Sequence, residues 1–171
     1  MAMELVRPSI NYKDSYLAAI QEFRAEGKKM DVDIDGPDKQ FGAHVEQLNG
    51  RAEGKYLKPG YVPESVFWLV DGGTFIGQIR IRHTLTDHLM RIGGHIGYSI
   101  RPSMRQQGYG TEILRLALPK AKELGISRAL LTCDDCNIAS QRIIEKNGGV
   151  LENTVPNPEG GPDKLRFWIC T

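Results

Sequence analysis

The chain has 171 residues, 40% of them hydrophobic, so it is long enough to bury one sizeable core and short for two. Its 22 lysines and arginines against 21 acidic residues leave no overall field that would attract nucleic acid or an anionic membrane surface. The longest apolar runs, such as 65–70, are far shorter than the roughly 20 residues that span a bilayer, and no basic and apolar leader precedes them. We therefore expect a single cytoplasmic domain over residues 1–171, with neither a nucleic-acid nor a membrane partner.

The N-terminal half predicts one strand, two helices and three antiparallel strands. Apolar residues recur at helical spacing in both helices, and alternate or cluster in the strands. The predicted elements are strand 4–7, helices 11–26 and 41–48, and strands 66–70, 75–81 and 95–100. The turn 71–74 reads Asp-Gly-Gly-Thr, which tolerates the positive φ of a tight turn, so 66–70 and 75–81 form a hairpin.

The C-terminal half predicts an alternation of helices and strands. The elements are a helix from Gly110 to Gly125, strand 128–132, a helix capped by Asn137, and strands 150–155 and 165–169. The first helix forms a β-α-β crossover, and Pro119 inside it is expected to kink its axis. The whole order predicts an α+β fold, with a mixed, mostly antiparallel central sheet flanked by about four helices.

Two patterns that suggest a metal lack the ligands to complete a site. Cys133 and Cys136 have C-x-x-C spacing, but no second pair and no spaced pair of histidines accompanies them. The acidic stretch 31–36 is similar to the start of a calcium loop, yet Gly42 stands where a bidentate glutamate is required. We expect reduced thiols and no bound metal.

A strand, a glycine turn and a helix start follow one another at 100–110. Such a turn leaves main-chain N–H groups unpaired at the positive end of the helix, and Gly108 and Gly110 let a phosphate approach closely. Arg105 adds positive charge. The third glycine of a dinucleotide fingerprint and the G-K-[ST] of a nucleotide loop are both absent. The turn is predicted to hold a phosphate group of another kind of ligand.

The segment 100–110, IRPSMRQQGYG, resembles the strand, loop and helix start of the GNAT acetyltransferase superfamily, whose loop reads [R/Q]-x-x-G-x-[G/A]. The N-x-x-[A/S] pattern at 137–140, followed by E-K-x-G at 145–148, is similar to the second motif of that superfamily. The resemblance covers about 95–151 and implies an N-acetyltransferase that uses acetyl-CoA and no metal. The acceptor would be a primary amine of a small molecule, an amino acid or a peptide, and the family allows a homodimer.

The same resemblance implies a coenzyme site. Main-chain groups on the strand would pair with the pantetheine arm, as an added strand would, and N–H groups of the loop would hold the pyrophosphate. The implied residues are Tyr98, Ser99, Ile100, Arg105, Gln106, Gln107, Gly108, Tyr109, Gly110, Thr111, Asn137 and Ser140.

His95 occupies the strand position where many relatives carry a glutamate. A histidine titrates near neutral pH, so it is a candidate base for the amine, and a sheet histidine with satisfied hydrogen bonds is the equal alternative. His83, His88 and Glu64 are further candidate bases.

Ile144 replaces a tyrosine thought to protonate the leaving thiolate in many relatives. Because a thiol has a reference pKa of about 8.5, water can take over that role. Two other functions stay open: a regulatory domain that binds acetyl-CoA without turnover, and transfer of a larger acyl group.

Overall fold

A computed structural model describes residues 3–28 and 38–171, which form two antiparallel sheets and five α-helices. The first sheet has the order β1-β2-β3-β4, and the second has the order β5-β7-β6. The strands are β1 Glu4–Val6, β2 Glu64–Asp71, β3 Thr74–Arg82, β4 Ile96–Ile100, β5 Arg128–Asp134, β6 Val150–Val155 and β7 Lys164–Cys170. The helices are α1 Lys13–Ala25, α2 Asp38–Gly50, α3 Asp87–Arg91, α4 Tyr109–Glu123 and α5 Ile138–Lys146. The predicted α+β class is confirmed; the acidic stretch 31–36 lies outside the described residues.

Helices α1 and α2 cover one face of the first sheet through an aromatic cluster. The ring of Tyr16 on α1 stacks on Trp68 of β2, with 4.5 Å between the centroids. Phe75 of β3 meets both rings edge-on, and Phe41 of α2 completes the cluster. The helical spacing of apolar residues in α1 thus predicted the side that is buried.

Helix α4 covers the other face of the sheet with a fully buried apolar stripe. Ile113, Leu114 and Ala117 belong to one core cluster with Ile79 and other residues of both sheets. The helix runs as one element from Tyr109 to Glu123 and includes Pro119. The proline is exposed, so the missing hydrogen bond falls on the solvent side of the helix.

Main-chain hydrogen bonds connect the two sheets at a junction between the residue before His95 and the middle of β5. Gly94 and Leu131 form an isolated bridge, and the N–H of His95 donates to the carbonyl of Leu130 at 2.7 Å. Gly94 has a φ of +63°, and a Cβ there would lie 2.4 Å from the carbonyl oxygen of Leu130, so only glycine fits. Strands β4 and β5 therefore belong to different sheets, although α4 connects them as the predicted crossover.

The structure adds one helix that the sequence did not suggest. Helix α3 follows β3 directly, and the hydroxyl of Thr86 caps it by accepting from the N–H of Leu89 at 3.2 Å. The predicted hairpin is confirmed, because Gly72 and Gly73 have φ values of 54° and 86° between β2 and β3.

Candidate active site

The N-terminus of α4 presents unpaired main-chain donors. Gly108, with a φ of +87°, is the N-cap, and no side chain caps the helix there. None of the described residues accepts a hydrogen bond from the N–H groups of 106–110. At the positive end of a 15-residue helix, these donors have the arrangement that binds phosphate in proteins.

Arg105 braces this loop against α1. Its guanidinium makes two hydrogen bonds to the carboxylate of Glu26, at 2.6 and 3.0 Å, and its Nε donates to the carbonyl of Ile100 at 3.2 Å. The guanidinium also lies 5.9 Å from the centroid of the Phe23 ring. Hydrogen bonding to Arg105 lowers the pKa of Glu26. The positive charge that Arg105 was predicted to bring to the loop is thus partly neutralised by the carboxylate of Glu26.

Strand β4 has one edge without a strand partner among the described residues. Its other edge pairs with β3: the N–H of Arg82 donates to the carbonyl of His95, and the N–H of Arg101 donates to Ile76, each at 2.8 Å. Because the main chain of an antiparallel strand alternates between its two neighbours, Ser99 also faces β3. The main-chain groups on the open edge are those of Ile96, Tyr98 and Ile100. Two of the three residues predicted for pantetheine pairing therefore lie on this edge.

The two sequence motifs meet across the gap between β4 and α5. The hydroxyl of Tyr98 lies 2.9 Å from that of Ser140, in the first turn of α5. Burial raises the pKa of Tyr98 to about 12, so its hydroxyl stays protonated at neutral pH. The Oδ1 of Asn137 caps α5 by accepting from the N–H of Ser140 at 3.1 Å. The Nδ2 of Asn137 makes no hydrogen bond to any described residue, so it remains available as a donor.

His95 is held by the neighbouring sheet. Its Nδ1 accepts a hydrogen bond from the N–H of Leu130 at 2.9 Å, so the neutral ring carries its proton on Nε2. Burial lowers the pKa of His95, and the charge of Arg82 lowers it further. A catalytic His95 has to lose the bond from Leu130 before Nδ1 can accept a proton. The contact itself fastens β4 to β5 at the junction.

A cavity of about 300 Å³ lies beside the first sheet, on the face covered by α1 and α2, and we call it the Arg80 pocket. Its lining residues are Gly60, Tyr61, Val62, Glu64, Arg80, Arg82, Thr86, His88 and Leu89. Two of the alternative bases, Glu64 and His88, lie in this lining. Glu64 is only 5% exposed, and Oε1 accepts from the guanidinium of Arg51 at 3.0 Å.

Arg80 and Arg82 were not predicted from the sequence as site residues. The alternation Arg-Ile-Arg at 80–82, with a buried isoleucine between the two arginines, was the signal that would have placed both on one face of a strand. His83, the remaining candidate base, is outside the lining, and its Nε2 lies 2.9 Å from the hydroxyl of Ser65. A larger depression of about 600 Å³, at the start of α1, includes none of the predicted site residues.

Ile144 points into the core and not into the gap. It is 1% exposed, and a Cβ added to Gly149 would lie 2.4 Å from its Cγ2. The end of α5 is instead tied to the start of α4 by Asn147, whose Nδ2 donates to the carbonyls of Thr111 and Ile143 at 3.2 and 2.9 Å. This link was not predicted from the sequence, and it fixes the loop helix relative to the second motif.

The fold and the site together are those of an acyltransferase class, in which a helix start with free main-chain donors lies beside an open strand edge. Residues 13–150 match the family described as "Acetyltransferase (GNAT) domain". The chain belongs to this family and is an acetyl-CoA-dependent acyltransferase. No helix among the described residues is long and apolar enough to cross a membrane.

Relatives and solved structures agree with the family. The uncharacterized N-acetyltransferase YnaD of Bacillus subtilis (strain 168) is 26% identical over 132 residues, which cover 64% of this chain and 78% of YnaD. The ribosomal L7/L12 alpha-N-protein acetyltransferase RimL, solved with coenzyme A, has a TM-score of 0.72 at 16% identity, over 99% of this chain and 94% of its own. A spermidine N-acetyltransferase SpeG chimera, from Vibrio cholerae and hSSAT, has a TM-score of 0.65 at 16% identity, over 99% and 96% of the two chains. At these low sequence identities, the solved structures are evidence for the fold alone.

Proposed function

We propose that the chain is an N-acetyltransferase that transfers the acetyl group of acetyl-CoA to a primary amine of a small molecule, an amino acid or a peptide. The observation that carries this proposal is a set of polar groups that lack hydrogen-bond partners among the described residues. They are the N–H groups of 106–110 at the start of α4, main-chain groups on the open edge of β4, and the Nδ2 of Asn137 at the N-cap of α5. These groups match the successive phosphate and amide groups of coenzyme A.

The proposal assigns the coenzyme contacts as follows. Main-chain N–H groups of 106–110 hold the pyrophosphate, because the helix start supplies both donors and partial positive charge. The main-chain groups of Tyr98 and the N–H of Ile100 pair with the pantetheine amides as an added strand would, while the carbonyl of Ile100 accepts from Arg105. The Nδ2 of Asn137 is a further donor to this arm. Arg105 acts mainly by holding the loop against Glu26 and Ile100.

In the reaction, the amine nitrogen attacks the thioester carbonyl carbon, the carbon–sulfur bond breaks, and the thiolate leaves with the bonding electrons. An N–H on the open edge of β4 can polarise the carbonyl oxygen, as donors in an oxyanion hole do. The amine must lose a proton to a base, for which His95 and Glu64 are the candidates. Since the side chain of Ile144 cannot donate a proton, water or the Tyr98–Ser140 hydroxyl pair supplies the proton that the thiolate takes up.

A matched pair of glycine variants tests the coenzyme site. Gly108 and Gly125 flank α4, have φ values of +87° and +82°, and have no atom within 4 Å of an added Cβ. Asparagine tolerates this conformation, so Gly108→Asn and Gly125→Asn carry the same small strain. We expect Gly108→Asn to abolish acetyl-CoA binding in isothermal titration calorimetry, and Gly125→Asn to retain it. Equal affinity in both variants would overturn the assignment of the loop.

A measurement of turnover distinguishes an enzyme from a regulatory module that only binds acetyl-CoA. A thiol-reactive dye would follow the release of coenzyme A with amino acids, polyamines, aminoglycosides and peptides as acceptors. Steady release that depends on one class of amine supports the proposal. Tight binding of acetyl-CoA without release across the whole panel would favour a regulatory module, and faster reaction with succinyl-CoA would favour a larger acyl group.

A further inference from the structure

Arg80 is a half-buried cation without an anionic partner. Its guanidinium lines the Arg80 pocket, and no hydrogen bond or ion pair joins it to any described residue. The other charged groups nearby are engaged: Arg82 donates to the carbonyls of Gly93 and Gly94, at 3.2 and 2.9 Å, and Arg51 pairs with Glu64. A guanidinium removed from bulk water and left unpaired is unfavourable unless a ligand supplies the missing acceptor.

The charges around the pocket favour an anion. Among the described residues, two arginines, Arg80 and Arg82, and one carboxylate, that of Glu64, line the pocket. Glu64 is already paired with Arg51, so the lining carries an excess of positive charge. Burial lowers the pKa of Arg82, Glu64 opposes that shift, and the nearby charge of Arg80 adds to it. This mutual repulsion between Arg80 and Arg82 is relieved by a bound anion, and a polyamine in the pocket would increase it.

The pocket adjoins the strand edge where the acetyl group is expected. Arg80 pairs directly with Gly97 of β4, so both residues lie on the same face of the sheet. Gly97 has no side chain, and a Cβ built there would come no closer than 3.8 Å to the Cγ of Arg80. The space over β4, between Arg80 and the open edge, is therefore not filled by a side chain at this position. An acceptor anchored at Arg80 has a direct approach to β4.

We propose that Arg80 binds a carboxylate of the acceptor, so that the substrate is an amine that also carries a carboxylate, as an amino acid does. A planar guanidinium matches a carboxylate with two parallel hydrogen bonds, and a single free arginine in a cavity of about 300 Å³ suits one such group. The proposal rests on the proposed acetyl transfer to an amine, and it names the class of amine.

Pairs of acceptors that differ only in the carboxylate test this proposal. Release of coenzyme A is measured with a set of amino acids, with the same amino acids as carboxamides, and with spermidine and phosphoethanolamine. We expect a KM about tenfold lower for each acid than for its amide, a difference of about 1.4 kcal/mol, because the amide cannot accept the charged hydrogen bonds of the guanidinium. Arg80→Met should remove this difference, Arg80→Lys should keep part of it, and Arg142→Met, at an exposed position on α5, should leave it unchanged.

A binding measurement keeps the proposal testable without turnover. N-acetylated amino acids are titrated calorimetrically into the protein with coenzyme A present, and the Arg80→Met variant is measured alongside. Loss of binding in that variant supports the carboxylate site even if no amine is acetylated, in which case the proposed function alone fails. Equal turnover of acids and amides, or a preference for spermidine or phosphoethanolamine, overturns the carboxylate assignment and leaves the acetyltransferase proposal standing.

Discussion

The hydroxyl of Tyr98 on β4 lies 2.9 Å from the hydroxyl of Ser140 on α5, and this contact joins β4 to α5 across the gap between them. Tyr98→Phe leaves the Ser140 hydroxyl without this partner, so we expect the free energy of unfolding to fall by about 1 kcal/mol. Urea denaturation of Tyr98→Phe, Ser140→Ala and the double variant would measure the coupling. If the two single effects simply add, the hydroxyls do not interact in solution.

His95 offers a prediction that separates positioning from catalysis. Asparagine at this position keeps an acceptor near the place of Nδ1 but cannot take up a proton, whereas alanine removes both functions. If His95 only holds the junction, His95→Asn should retain stability and turnover, and His95→Ala should lose about 1–3 kcal/mol because the N–H of Leu130 is left unsatisfied. If His95 is the base, both variants lose turnover, and Glu64→Gln does not.

The pKa of His95 adds a pH dependence to that prediction. Its folded pKa is lowered by burial and by Arg82, so the neutral ring stabilises the fold above the unfolded pKa of about 6.5. This contribution is lost as the pH falls through the lowered folded pKa. Unfolding free energies measured from pH 7 downward should decline less steeply in His95→Asn than in the unmodified protein. An unchanged slope would show that His95 is not buried neutral in solution.

Gly110 permits the close approach of α4 and α5. A Cβ there would lie 2.4 Å from the Cδ1 of Ile143, which has to shift, so Gly110→Ala should destabilise the protein by about 1 kcal/mol. Ile143→Val removes that methyl group, and in this background we expect Gly110→Ala to be much less costly. Gly42→Ala, in α2 with no atom within 4 Å of the added Cβ, is the control and should be neutral or stabilising. Thermal unfolding of the four variants would show whether the clash is the cause.

The ion pair of Arg105 and Glu26 predicts how charge at the loop affects the coenzyme. Both side chains are more than a third exposed, so the pair itself contributes little to folding. Glu26→Gln should tighten acetyl-CoA binding severalfold, because it leaves the charge of Arg105 uncompensated beside the phosphate site. Arg105→Gln should weaken binding. Calorimetry at low and high salt would check this, and identical affinities for both variants would show that Arg105 acts only as a brace.

Local sequence patterns predicted the features that depend only on residues close to one another in the chain. The turn at Gly108, the cap at Asn137 and the buried face of α1 follow from spacing alone, and all three are present in the structure. The bond from Leu130 to His95 was out of reach, because it joins residues 35 positions apart, one just before β4 and the other in β5.

The Arg80 pocket was missed for a similar reason. Its walls come from β2, β3, α3 and a loop, and only their packing leaves one guanidinium without a partner. The carboxylate of Glu26 neutralises Arg105 through a contact spanning 79 positions, which no motif encodes. Sequence motifs therefore indicated the proposed coenzyme site, and the three-dimensional contacts were needed for the proposed acceptor site.

Because β4 separates from β5 beyond Gly94, β4 has an open edge that affects the tendency of the protein to self-associate in solution. An unpaired strand edge can recruit a strand from another chain as readily as it can pair with an extended ligand, and exposed edges of this kind promote aggregation. A coenzyme lying along β4 would cover that edge. Bound in the proposed position, the coenzyme would therefore also shield this edge from strands of other chains.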